Sequence, residues 1–214
     1  MIPPEDNRAD ETARPFGKES IAGLIHQFTA EFSRAKVDVA VESFLGRFFP
    51  EQFDKNDYFV RSGDLCTRLG FVTEGVIRAF HSTDQGEEYT KTVFQEGHFV
   101  APLAALTTGE ASPVSLQALT PVKMLVADYR ELQSLLHNHH CLEHFTRMVI
   151  QWEWVKKEIR EIRLVTLSAE ERYDIFLEEY AGLEKRIPWY YIASFLGITP
   201  VALSRIRGKK REKH

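Results

Sequence analysis

The stretch that decides the fold runs Arg186-Ile187-Pro188-Trp189-Tyr190-Tyr191-Ile192-Ala193-Ser194-Phe195-Leu196-Gly197-Ile198-Thr199-Pro200-Val201-Ala202-Leu203-Ser204-Arg205-Ile206-Arg207. Pro188 suits the first turn of a helix, where a missing N–H costs nothing. Ile192 and Leu196 give that helix an inner face, and Ala193 is small where a second helix must approach. Gly197 stands where a short turn needs a left-handed residue. Thr199 is a good N-cap and Pro200 a good first helical residue, so a second helix starts there. Its Leu203 and Ile206 face inward, while Val201, Ser204, Arg205 and Arg207 face outward. The pattern predicts a helix-turn-helix whose second helix offers arginine and hydroxyl groups to a major groove.

Beyond it lies a basic tail with Lys209, Lys210 and Arg211, suited to phosphate contacts. From Glu184 to His214 eight Lys and Arg residues face two carboxylates, a net +6. The whole chain carries only −4, so the preceding 183 residues carry −10. A solvated helix normally mixes both signs, yet no acid occurs between Gly197 and Arg211. The partner implied is double-stranded DNA.

Upstream, Ser168-Ala169-Glu170-Glu171 is a capping box that opens a helix with Tyr173, Phe176, Leu177 and Tyr180 on one face. Before it, helical periodicity holds over residues 129–163. Met148, Trp152, Val155, Ile159 and Ile162 repeat at spacings of 4, 3, 4 and 3, a coiled-coil seam. So narrow a stripe calls for something long beside it, and the expected partner is a second copy of the chain. Trp189-Tyr190-Tyr191 is expected to pack the C-terminal helices against this long helix.

Over residues 58–127 the apolar period is two. Turn signals recur at Gly63, Gly75 and Thr83-Asp84-Gln85-Gly86, and further short segments cover residues 114–119 and 122–126. Short strands with no helices between them predict an antiparallel jelly-roll-like sheet fold. Residues 21–45 return to helical spacing through Ile21, Leu24, Ile25, Phe28 and Phe32. Residues 1–20 are polar and proline-rich and read as a flexible arm.

Composition excludes several classes. Of 214 residues, 43% are hydrophobic and 27% charged, which argues against wholesale disorder and fibrous chains. No run approaches ~18 uninterrupted apolar residues, so no membrane span is expected. Two cysteines cannot build a disulfide framework, which points to a reducing cytoplasm. No nucleophile elbow, metalloprotease helix or phosphate-binding loop occurs, so the protein does not read as an enzyme. The His137-Asn138-His139-His140-Cys141 run with His144 is the one metal-like cluster. It reads as a polar bend, and neither a metal nor another cofactor is expected.

Taken together these parts resemble the Crp/Fnr family of bacterial transcription regulators, over roughly residues 25–210. The resemblance rests on the order of the parts and on four local motifs: Arg61-Ser62-Gly63-Asp64, Phe71-Val72-Thr73-Glu74-Gly75-Val76-Ile77-Arg78, Phe94-Gln95-Glu96-Gly97-His98-Phe99-Val100, and Ile192 through Thr199 ending in Ser204-Arg205. It implies an α+β chain. Its parts are an antiparallel β-roll sensor related to cyclic-nucleotide-binding domains, a long dimerisation helix and a C-terminal helix-turn-helix. On that basis we assign residues 1–20 to the arm, 21–137 to the β-roll, 138–166 to the dimerisation helix and 167–214 to the DNA-binding domain.

Two departures from the family pattern stand out. Members that bind cyclic nucleotides use a Gly-Glu pair and, about ten residues on, an arginine with a hydroxyl neighbour. Without gaps from Gly97, the pair falls on Ala101 and Pro102, and the arginine and its neighbour on Ser112 and Pro113. A buried phosphodiester needs a cation or several donors, yet residues 97–122 hold no Lys or Arg. Tight cyclic AMP binding is therefore not expected, and the effector is either some other small molecule or absent. The chain also ends seven residues after Arg207, so the strands that follow the recognition helix in many members are expected to be missing. The acidic base reader of the cyclic AMP receptor subgroup falls on Val201, which suits a thymine methyl instead. The competing readings are a ligand- or protein-binding β-roll that never touches DNA, and a cupin-like metal enzyme, for which His81 and His98 are too few.

Overall fold

The computed structural model describes residues 16–211. Two helices lead in: α1 (Lys18–Phe28) and α2 (Arg34–Leu45). The roll follows as β1 (Phe49–Phe53), β2 (Tyr58–Val60), β3 (Arg68–Glu74), β4 (Ile77–Ser82), β5 (Glu88–Phe94), β6 (Phe99–Val100), the short helix α3 (Leu103–Thr108), β7 (Ser115–Ala118) and β8 (Val122–Asp128). Then come α4 (Tyr129–Asn138), α5 (His140–Thr166), α6 (Ala169–Glu179), a 3₁₀ turn (Leu183–Lys185), α7 (Trp189–Leu196) and α8 (Pro200–Arg211).

The strands form two four-stranded antiparallel sheets, ordered β1-β8-β3-β6 and β2-β7-β4-β5. Alternation along each strand sorts its side chains between layers. Val72, Ile77, Ala79, Leu116, Met124 and Val126 point between the sheets and fill the roll. Phe71, Leu125 and Ala127, their neighbours in sequence, turn outward and bury against α1, α2, α4 and α5. The first sheet is thus covered on both faces. Gly75 (φ 102°) takes the left-handed turn between β3 and β4, and Gly86 (φ 84°) the one between β4 and β5. At Gly75 the Pro121 carbonyl also leaves no room for a Cβ.

Three local expectations change. Helix α1 begins at Lys18, inside the segment assigned to the arm, while residues 1–15 lie outside the described residues. A six-residue helix, α3, interrupts the strands between β6 and β7, where an unbroken run of strands is expected. It is too short to show a helical period and ends on the left-handed Gly109. The long helical stretch breaks at His139 (φ −130°, ψ 93°), so α4 and α5 are separate helices. Asp128 starts the first of these by accepting the Arg130 and Glu131 amides. Among the described residues no helix is long and apolar enough to cross a membrane.

Candidate nucleic-acid interface

Helices α7 and α8 form the expected hairpin. Gly197 sits at φ 69°, and its amide closes α7 on Ser194. The Thr199 hydroxyl accepts the Ala202 amide at 3.2 Å, capping α8. Ile192, Ala193, Leu196, Leu203 and Ile206 are buried together with Tyr173, Phe176, Leu183 and Ile187. Ser168 and Glu171 exchange side-chain-to-backbone hydrogen bonds at 2.8 and 3.3 Å, completing the capping box of α6. This packing leaves Thr199, Val201, Ser204, Arg205 and Lys209 exposed on one side of α8.

The basic residues divide into two groups. Arg205 forms no ion pair among the described residues and projects from the middle of α8. Lys209 pairs with Glu170 at 3.3 Å and Lys210 with Asp174, both on α6. Arg207 is half-buried beside the Tyr173 hydroxyl, which donates to Glu184 at 2.7 Å. Burial and the Glu184 carboxylate push that phenol up to about 12. Exposed pairs of the Lys209 kind hold by less than ~1 kcal/mol, so a phosphate can displace the carboxylate.

Sequence reasoning missed how firmly this head is seated on the roll. Strand β5 is a sheet edge, and α7 covers it. The Ser194 hydroxyl accepts the Thr90 amide at 2.8 Å and donates to the Glu88 carbonyl at 3.1 Å, replacing a missing strand neighbour. Arg78, buried on β4, lies between two rings, 3.8 Å from the Phe80 centroid and 4.2 Å from that of Tyr191 on α7. Its guanidinium also donates to Gln117 and, at 2.6 Å, to Glu88. Val76, Val93 and Leu119 of the roll share one buried cluster with the helices of the head. Glu96, in the β5–β6 turn, takes a bidentate pair from Arg186 at 2.5 and 2.8 Å. Of the aromatic run, Tyr191 therefore faces the roll, while Trp189 and Tyr190 stay exposed. It is Phe195 that meets the long helix, its carbonyl accepting from Arg160 at 2.7 Å.

The four positions of the nucleotide cassette fall in the β6–β7 segment. Ala101 is half-buried, and Pro102 caps α3 without an N–H to offer. Ser112 is buried, and its donors are already engaged. Its hydroxyl donates to the Val114 carbonyl at 2.7 Å and its amide to the Asp64 carbonyl at 2.8 Å. Pro113 is exposed, and its carbonyl lies 3.3 Å from His81.

On α5, Cys141, Leu142 and Phe145 bury against the chain's own first sheet. The predicted seam turns away from it. Met148 and Trp152 are half-buried, and Val155, Ile159 and Ile162 are 39, 41 and 54% exposed. His140 and His144 pack their rings against Phe32, and His137 faces the Gln133 carbonyl of its own helix. Among the described residues no group of three or more His, Cys, Asp or Glu side chains is placed to hold a metal ion.

A β-roll joined through a long helix to a helix-turn-helix head defines a class: a sensor-type domain coupled to a DNA reader. The comparisons narrow it. Residues 50–139 match the model of the cyclic nucleotide-binding domain family. The global nitrogen regulator of Synechocystis sp. is 25% identical over 175 residues, covering 76% of this chain and 77% of the relative. FixK2 from Bradyrhizobium japonicum has the same fold, with a TM-score of 0.69 at 15% identity over 78% of this chain and 85% of that one. A putative transcriptional regulator of the Crp/Fnr family from Eubacterium rectale gives a TM-score of 0.64 at 16% identity, with 86% of each chain covered. In sequence and in fold the chain is thus similar to transcriptional regulators of the Crp/Fnr type.

Proposed function

We propose that the protein acts in the cytoplasm as a homodimer that reads duplex DNA with α8. The observation that carries this is the exposed face of α8, with Val201, Ser204 and Arg205, in a segment free of carboxylates from Gly197 to Arg211. Arg205 is the base reader, suited to a bidentate pair with guanine, and Val201 suits a thymine methyl. Thr199, Ser204, Arg207, Lys209 and Lys210 position the phosphate backbone. Met148, Trp152, Val155, Ile159 and Ile162 supply the dimer seam, because Val155, Ile159 and Ile162 stay exposed among the described residues and the spacing is that of a two-helix contact. Two heads related by that axis suit half-sites about one helical turn, ~34 Å, apart.

The roll senses something other than cyclic AMP, or is fixed in one state. Ala101, Pro102, Ser112 and Pro113 offer no cation to a cyclic phosphate, and the hydrogen-bond donors of Ser112 are taken. The test of the DNA reading is binding to random duplex across a salt series. A DNA reader loses affinity steeply as salt rises, because phosphate contacts release counterions. A flat or absent response would favour a roll that binds a ligand or protein alone.

A further inference from the structure

Arg186 lies three residues before Trp189, at the N-terminal end of α7. In a helix-turn-helix the first helix crosses the phosphate backbone, so a cation at that end belongs against a phosphate. Here its guanidinium is held by Glu96 of the sensor roll, through two parallel hydrogen bonds of 2.5 and 2.8 Å. That bidentate fork is the geometry with which arginine also grips a phosphate.

The carboxylate is built into its place. Glu96 Oε1 also accepts the Gly75 amide at 2.7 Å, which ties the β5–β6 turn to the β3–β4 turn. The Glu96 side chain is only 22% exposed, whereas Arg186 keeps 38% of its side chain open to solvent. Glu74 adds a second negative charge nearby. Around the pair, Val76, Val93 and Leu119 keep the head seated through apolar contact, independent of the charges.

We propose that Glu96 is an intramolecular stand-in for a DNA phosphate: it masks Arg186 and so sets how strongly the head grips the backbone. A shift of the β5–β6 turn that withdraws Glu96 would release one more phosphate-binding cation per protomer without unseating the head. This rests on the DNA-binding reading of the preceding section and adds to it a point of control lying in the sensor.

The test compares wild type, Glu96→Gln and Arg186→Gln on random and specific duplexes over 50–200 mM salt. Gln keeps an oxygen for the Gly75 amide but loses the charge. Glu96→Gln is expected to steepen the log–log salt slope by about 0.9 for each protomer on the duplex, and to tighten binding at 50 mM roughly threefold. Arg186→Gln is expected to keep the wild-type slope, since its cation is already masked. The masking is overturned if Glu96→Gln changes neither slope nor affinity, or if Arg186→Gln flattens the slope by about 0.9. Should Glu96→Gln fail to fold, the Arg186→Gln slope decides alone. Wild-type binding with no effect of Glu96→Gln sinks the mask and leaves the DNA reading standing. No binding by any of the three at the lowest salt sinks both.

Discussion

Arg205 and Lys209 both sit exposed on α8, yet their surroundings differ. Among the described residues Arg205 projects from mid-helix with no carboxylate partner, whereas Lys209 sits near the C-terminal end on Glu170. We expect Arg205→Ala to cost about 1–3 kcal/mol on a specific site and to relax discrimination. Lys209→Ala should weaken all sequences alike and reduce the salt slope by about 0.9. Equal losses on specific and random DNA for both variants would refute this division of roles. Histidine 98 offers a second test at the same scale. Burial, and then Lys156, press its imidazole down to about 4, from an ordinary value near 6.5. The folded state therefore keeps it neutral while the unfolded chain takes up a proton below ~6.5. Stability should be flat above that pH and fall progressively between ~6.5 and ~4, by about 1–2 kcal/mol at pH 5. Urea unfolding at pH 7.5 and 5 measures it, and His98→Gln should remove most of the difference.

At the scale of elements, α5 carries two separate apolar programmes. Its first turns bury Cys141, Leu142 and Phe145 against the roll, and its later turns leave Val155, Ile159 and Ile162 in solvent. Ile159→Glu should therefore lower self-association at least tenfold in sedimentation equilibrium while leaving the thermal midpoint of the roll nearly unchanged. An unaltered dimer would mean that the seam lies elsewhere. The turn between α7 and α8 is a stricter element. At Gly197 a Cβ meets Leu164 Cδ2 at 3.2 Å, in a left-handed conformation. Gly197→Ala should cost about 1–2 kcal/mol of stability, read by thermal or urea unfolding.

Legibility in the sequence also varies by element. The capping box at Ser168, the turn glycines at Gly86 and Gly197 and the strand period over residues 58–127 are local signals, each complete within a few residues. They mark the elements well. Helix α3 escaped because six residues cannot display a helical period, and the break at His139 because the apolar repeat runs on either side of it.

For the whole molecule, the charge map of −10 on the N-terminal 183 residues and +6 on the C-terminal 31 gains a spatial meaning. The two parts are in contact, and part of that opposition is used at their junction by Arg186 with Glu96. The roll's interior is filled by its own side chains, Ile77, Leu116, Met124 and Val126 among them. Calorimetric titration with cyclic AMP should accordingly give no binding at micromolar concentrations, and a micromolar or tighter isotherm would refute the degenerate cassette.

Apart from α3 and the break at His139, the sequence by itself determined the kinds of element, their order and the helix-turn-helix, because period, caps and turn glycines act over a handful of neighbours. It also determined that no cation lies in the cassette region, since that is a matter of residue identity. Only the tertiary structure decided that α7 closes the β5 edge through Ser194, that Arg78 lies between Phe80 and Tyr191, and that Glu96 holds Arg186. Apart from Phe80, which neighbours Arg78 in sequence, those partners stand far apart along the chain: 90 residues from Glu96 to Arg186 and 104 from Thr90 to Ser194. Their meeting depends on strand register and on the path of the chain, which no short window of sequence contains.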